Sequence, residues 1–148
     1  MKNIFKKIFN NKYKNEEKKY TDFLLPKIQA YRNIIASKEN ISFLHYGHLG
    51  DIINSLPVLK ELSKDKNCHL YIQKDKKIPE NILSKDNPFG KVYLTEKSIH
   101  KMLPLLKEQS FLKKVEIYNN QKIDIDLNFF RELPINFNID SVRWYFQL

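Results

Sequence analysis

Glycine is scarce in this chain: only three in 148 residues, and two of them, Gly47 and Gly50, fall within four positions. Cysteine occurs once, at Cys68, so no disulfide can form within the chain, and a reducing, cytoplasmic setting is expected. No uninterrupted apolar stretch approaches the roughly 20 residues that a spanning helix requires. The opening MKNIFKKIFNNKYKN carries lysines but no apolar central segment or small-residue cleavage site, so it is not expected to act as a secretory signal. Arginine is limited to Arg32, Arg131 and Arg143, so nearly all of the formal net charge of +9 comes from lysine. Such an excess is a diffuse field rather than a set of planar forks reading phosphates or bases. The abundance of Lys, Asn and Ile is also what an A+T-rich genome encodes. What is plentiful is apolar: 42% hydrophobic and 13% aromatic residues, enough for one domain with a single sizeable core.

The first 40 residues hold ten basic side chains and four acidic ones, which concentrates about two-thirds of the charge excess there. Ile4, Phe5, Ile8 and Phe9 recur at helical spacing among lysines, the pattern of a short basic helix that lies on an anionic membrane surface. A frayed, solvated leader fits the same residues. The interleaved Phe5, Phe9, Tyr13 and Tyr20 also fit a nucleic-acid tail, although nucleic acid is not the expected partner. Leu24, Ile28, Tyr31 and Ile35 step by four, three and four, which predicts a helix packed on the main body. We place a basic amphipathic helical leader over 1–38 and the main domain over 39–148.

From residue 41 strands alternate with helices. The apolar runs 41–46, 69–73, 91–95, 115–118 and 123–127 are the expected strands, with a turn at 119–122 between the last two. Helices are expected over 51–63 and through Ile99, Met102, Leu103, Leu106 and Phe111, with a helical turn at 78–83. Pro57 falls inside the first of these, which predicts either a kink there or a regular helix starting near Ser55. Alternation of this kind implies an α/β fold: a Rossmann-like parallel sheet with flanking helices, preceded by the basic leader.

A strand that ends in G-x-x-G and runs directly into a helix puts backbone amides at the carboxyl edge of the sheet, where open α/β folds bind ligands. Gly47 and Gly50 are expected to supply positive φ and close backbone approach. The spacing is neither the dinucleotide fingerprint nor a P-loop, and Asp51 at the helix start would repel phosphate. The plainest role for Asp51 is a helix cap. His45, His48 and Asp51 form H-x-x-H-x-x-D, but zinc needs a further well-placed ligand, so no metal is expected; a polar histidine lining a cleft is preferred, with His48 meeting acceptor or donor. Cys68 and His69 read as packing, and His100 as helix surface.

Asp124 and Asp126 share one face of their strand, and two like charges there are expected to face water or the cleft. Asn128 and Arg131, just beyond the strand, are placed to meet ligand rather than to pack. Arg131 suits a phosphate or carboxylate.

The stretch ISFLHYGHLGDIINSLPVLKEL resembles the amino-terminal strand–turn–helix of the ADP-heptose:lipopolysaccharide heptosyltransferases and their relatives in glycosyltransferase family nine. Gly50, Asp51, Ile52, Ile53, Ser55, Leu56 and Pro57 stand at matching places. KIDIDLNFFR is similar, more loosely, to a later strand of that family, so the resemblance spans about residues 41–131. It implies that Asp51 is the base that takes a proton from an acceptor hydroxyl, with Gly47, His48, Gly50, Asn128 and Arg131 around the acceptor. It also implies a sugar or glycolipid acceptor and a nucleotide-sugar donor as co-substrate, with no other cofactor. Family members have two Rossmann-like domains, acceptor-binding and donor-binding, and this length has room for the first. The expectation is a truncated frame or an acceptor-type domain working with a separate donor-binding partner; the apolar ending at Trp144, Tyr145 and Phe146 suits a continuing fold. The rival reading is a non-catalytic binding module.

Overall fold

The structure, a computed structural model, describes residues 18–80, 83, 85–87, 90–133 and 145–146. The leader stripe at residues 4–9, residues 81–82 of the expected turn at 78–83, and Trp144 lie outside the described residues.

A π-helical turn at Tyr20–Leu24 leads into α1 (Leu25–Ser37). Leu24, Ile28 and Tyr31 are buried and Ile35 is partly buried, so the predicted stripe packs into the main core. The chain then forms β1 (Asn40–His45), α2 (Leu49–Leu62), β2 (Asn67–Ile72), α3 (Glu96–Lys107), β3 (Leu112–Ile117) and β4 (Ile125–Asp126), followed by a 3₁₀ helix at Leu127–Glu132. The four strands make one sheet in the order β3-β2-β1-β4, every pairing parallel. This is the expected α/β Rossmann-like arrangement. β1 and β2 occupy the centre, and Ile41, Phe43, Cys68, Leu70 and Ile72 are almost wholly buried beneath the helices. Cys68 packs, as its place in a central strand dictates.

Two local expectations are corrected. Residues 91–95 do not join the sheet. Their apolar members Tyr93 and Leu94 are buried, but their backbone meets residues 75–78 through an isolated antiparallel bridge between Lys77 and Val92. The amides of Asp75, Ile78 and Tyr93 donate across that ribbon, so the edge of the sheet passes instead to β3. The strand expected over 123–127 shortens to two residues, because Asp126 caps the 3₁₀ helix by accepting the Asn128 amide at 2.9 Å. The expected turn at 119–122 appears as a bend at 119–120, with Asn120 at φ 60°, and the strands on either side of it, β3 and β4, lie at opposite edges of the sheet.

α2 runs unbroken through Pro57 from Leu49, which excludes a start near Ser55. Ser55, fully buried, returns its hydroxyl to the Ile52 carbonyl at 2.7 Å, within the same turn.

Of the paired aspartates, Asp126 borders the cleft as expected, and Asp124 departs from expectation. Asp124 is not on a wet face: its side chain is 9% exposed, ion-paired with Lys38 and accepting the Ser42 amide at 3.0 Å. Burial alone would raise its pKa; Lys38 and the Ser42 amide outweigh that and hold the carboxyl below its usual range. The pair stitches the α1–β1 connection to β4. Tyr31 adds a second stitch, its hydroxyl accepting the Asp126 amide at 3.1 Å.

Candidate functional site

β1 ends at His45, and the turn Tyr46-Gly47-His48 carries the chain into α2. Gly47 is required by close approach, not by its backbone angles. A Cβ there would stand 2.6 Å from Asp51 Oδ2, 2.8 Å from Asp51 Cβ and 2.9 Å from His45 Cε1. Neither Gly47 nor Gly50 has positive φ, which corrects the expectation for both. Gly50 lies exposed in the first turn of α2 with open space around its Cα.

His45 is wholly buried beneath this turn. Its Nδ1 accepts the Gly47 amide at 3.0 Å, so Nε2 carries the proton and donates to the Tyr145 hydroxyl at 3.0 Å. Burial first, then the Arg131 charge, lowers its pKa to about 3, and the ring stays neutral. His48 is the N-cap residue of α2, and its Nδ1 donates to the Tyr93 carbonyl at 3.1 Å. Its ring packs edge-on against Tyr93, with centroids 5.1 Å apart. His48 therefore ties α2 to the 91–95 segment.

Asp51 caps α2: Oδ2 accepts the His48 amide at 3.0 Å. The same oxygen accepts from Arg131 Nη2 at 2.7 Å, in an ion pair whose side chains are 22% (Asp51) and 26% (Arg131) exposed. Asp51 is thus at the rim, neither packed inside nor open to water, with Arg131 between it and the neighbouring cleft. Arg131 is fixed from other sides as well. Its Nη1 donates to Asn128 Oδ1 at 3.3 Å, and its guanidinium lies 4.5 Å from the Phe130 ring centre and 5.6 Å from that of Tyr93.

Asn128, expected to meet ligand, is instead buried. Its Nδ2 donates to Asp126 at 2.9 Å, and its Oδ1 accepts from Arg131 and, at 3.4 Å, from the Tyr46 amide. It joins the ends of β1 and β4, and only its edge reaches the cleft. The sheet topology makes the arrangement possible: β4 lies beside β1, so Asp51 and Arg131, 80 positions apart in sequence, meet at one carboxyl edge.

Beside this pair opens a cleft of about 830 Å³, bordered by the residues that follow β1, β2 and β4. Tyr46, Lys76, Tyr93 and Arg131 line it together with Lys27 and Phe129. Burial, and next the Asp126 charge, push the Tyr46 hydroxyl up to about 12, so it remains a donor.

No family model, curated protein or solved structure matches the chain significantly. The site must be read from its own chemistry.

Among the described residues no three metal-ligating side chains come together. His45 already spends both ring nitrogens on Gly47 and Tyr145. Of the sequence candidates, Asn128 and Arg131 border the cleft, Asn128 in a supporting position, whereas Gly47, His48, Gly50 and Asp51 form the adjoining turn and are not on its lining. Missed were Lys27, Lys76 and Lys77, the aromatic walls, and the Asp51–Arg131 pair. Tyr46 closes one predicted strand, and Lys74, Lys76 and Lys77 directly follow another, positions that mark the ligand edge of such a sheet.

Proposed function

We propose that this chain is the acceptor-binding half of a glycosyltransferase of the heptosyltransferase type. A nucleotide-sugar donor, held by a separate donor-binding domain, gives up its sugar to an acceptor hydroxyl positioned in the carboxyl-edge cleft. The acceptor oxygen forms a bond to the anomeric carbon, the bond to the nucleotide diphosphate breaks, and Asp51 takes the hydroxyl proton. Oδ2 is committed to Arg131 and His48, so Oδ1 is the accepting atom; no donor among the described residues occupies it. The observation that carries the reading is that Asp51, fixed by capping and by Arg131, stays 22% exposed next to the arginine that borders a cleft of about 830 Å³.

Transfer is tested by combining the full chain with candidate donor domains, nucleotide sugars and glycolipid acceptors, and following nucleotide diphosphate release. Asp51→Asn is expected to abolish release. Undiminished release in that variant would remove Asp51 from the chemistry.

The non-catalytic binding module is the second reading, favoured by the double engagement of Oδ2. It predicts acceptor binding with no release under any pairing.

No helix among the described residues is long and apolar enough to cross a membrane. In our reading the basic leader over residues 1–20 holds the protein against the anionic inner face of a membrane, near a membrane-borne acceptor. Deleting it should abolish sedimentation with anionic vesicles; unchanged sedimentation would remove the leader from the account.

A further inference from the structure

The cleft contains cations that its own carboxylates do not neutralise. Lys27, Lys76 and Lys77 line it, and among the described residues none of them forms an ion pair. Lys27 Nζ instead rests 4.4 Å from the Phe129 ring centre, and Lys76 Nζ 5.1 Å from that of Tyr46. Of the two carboxylates on the lining, Glu132 pairs with Lys19 at 3.1 Å, while Asp126, bonded at 2.9 Å to the neutral amide of Asn128, keeps its charge and offsets at most one of the three lysines. Arg131 is balanced by Asp51. The three lysines therefore outnumber the one unpaired carboxylate, and the concave wall concentrates that positive excess on whatever enters.

The walls are aromatic as well as basic. Tyr46 and Tyr93 stand 6.0 Å apart between ring centres and tilted by 50°, and Phe23, 52% exposed, borders the same space. The C–H face of a sugar ring packs well on such rings, and the protonated Tyr46 hydroxyl is a donor for its oxygens. A volume of about 830 Å³ is within the range of sites for small ligands. The helix N-terminus that would usually attract phosphate is taken by Asp51, which directs an anion toward the lysines instead.

We infer that the cleft binds a phosphorylated sugar, its phosphate taken by Lys76 and Lys77 with Lys27, and its ring laid against Tyr46 and Tyr93. This deepens the transfer reading by naming the acceptor's chemistry, and it rests on that reading only in treating the ligand as an acceptor.

The test is calorimetric titration of the full chain with hexose 1- and 6-phosphates, the matching free hexoses and inorganic phosphate. At least one phosphosugar should bind at least tenfold more tightly than both its free sugar and inorganic phosphate, with affinity falling as salt rises. Lys76→Ala combined with Lys77→Ala, and separately Lys27→Ala, should each weaken it tenfold or more. Lys113→Ala, exposed on β3, should not. The inference is overturned if no phosphosugar binds at millimolar concentration, if the free sugar binds equally well, or if the cleft variants bind like the parent. A single-stranded RNA that binds more tightly and is lost in the same variants overturns it in favour of nucleic acid.

Vesicles carrying a phosphorylated glycolipid, compared with its dephosphorylated form, identify the source. Capture that a soluble phosphosugar displaces assigns a membrane-borne ligand, and binding of the soluble compound alone assigns a free one; either supports the shared chemistry. Phosphosugar binding without transfer would leave this inference intact and remove the catalytic reading, whereas transfer only to unphosphorylated acceptors would do the reverse.

Discussion

At the residue scale the two glycines of the turn separate cleanly. Gly47 faces the Asp51 carboxylate and the buried His45 ring, neither of which can yield, because one is ion-paired and the other enclosed. Gly47→Ala should therefore cost about 1–3 kcal/mol in urea unfolding, the range for overpacking. Gly50→Ala, in open space on a helix, should be neutral or stabilising by up to about 1 kcal/mol. Equal effects at the two positions would contradict this account of the turn. His45 makes a second prediction. Its folded pKa, about 3, lies below its ordinary 6.5, so the folded chain resists a proton that the unfolded chain accepts. Its contribution is fully present above pH 6.5 and is lost as pH falls toward 3, at about 1.4 kcal/mol per pH unit once well below 6.5. Between pH 7 and pH 5 the parent should lose more stability than His45→Gln. Identical losses would mean that the ring is not held neutral.

At the scale of elements, the shortest strand depends on a charge. β4 has only two residues, and Asp124 ties it to Lys38 and to the Ser42 amide. Asp124→Ala should cost on the order of 2–3 kcal/mol, since it leaves a backbone amide without its acceptor and a lysine without its partner. Lys64→Ala removes a pair whose side chains are 65% and 59% exposed, and should cost under about 0.5 kcal/mol. Comparable melting temperatures for the two variants would refute the distinction. The strands at 40–45 and 67–72 and the helix of Leu49–Leu62 were legible because unbroken apolar runs and helical periodicity need no distant partner. The 91–95 run was not, because apolar alternation records burial of Tyr93 and Leu94 without recording which backbone they pair with. Asp124 misled for a related reason: its partner Lys38 is 86 positions away, so spacing alone showed only two like charges on one face.

At the scale of the whole molecule, the strand order brings together what the sequence separates. With β4 beside β1, the 3₁₀ helix delivers Arg131 to Asp51, and α1 delivers Lys27 to the wall of the same cleft. The G-x-x-G-Asp turn marked the right edge of the sheet in the sequence, although only Tyr46, just before it, borders the cleft. The lip with Lys76, Lys77 and Tyr93 required knowledge of the 75–78 and 91–94 ribbon, which no local pattern announces. A second concavity on the outer surface, bordered by Leu49, Ile53, Met102 and Leu105, lies between α2 and α3 and offers an internal control. The most direct measurement is an NMR titration of the isotope-labelled full chain with a phosphosugar, following backbone and side-chain shifts. The account predicts saturable shifts at Tyr46, Lys76, Tyr93 and Arg131 and none at Ile53 or Leu105; shifts confined to the α2–α3 surface, or none at the carboxyl edge, would contradict it.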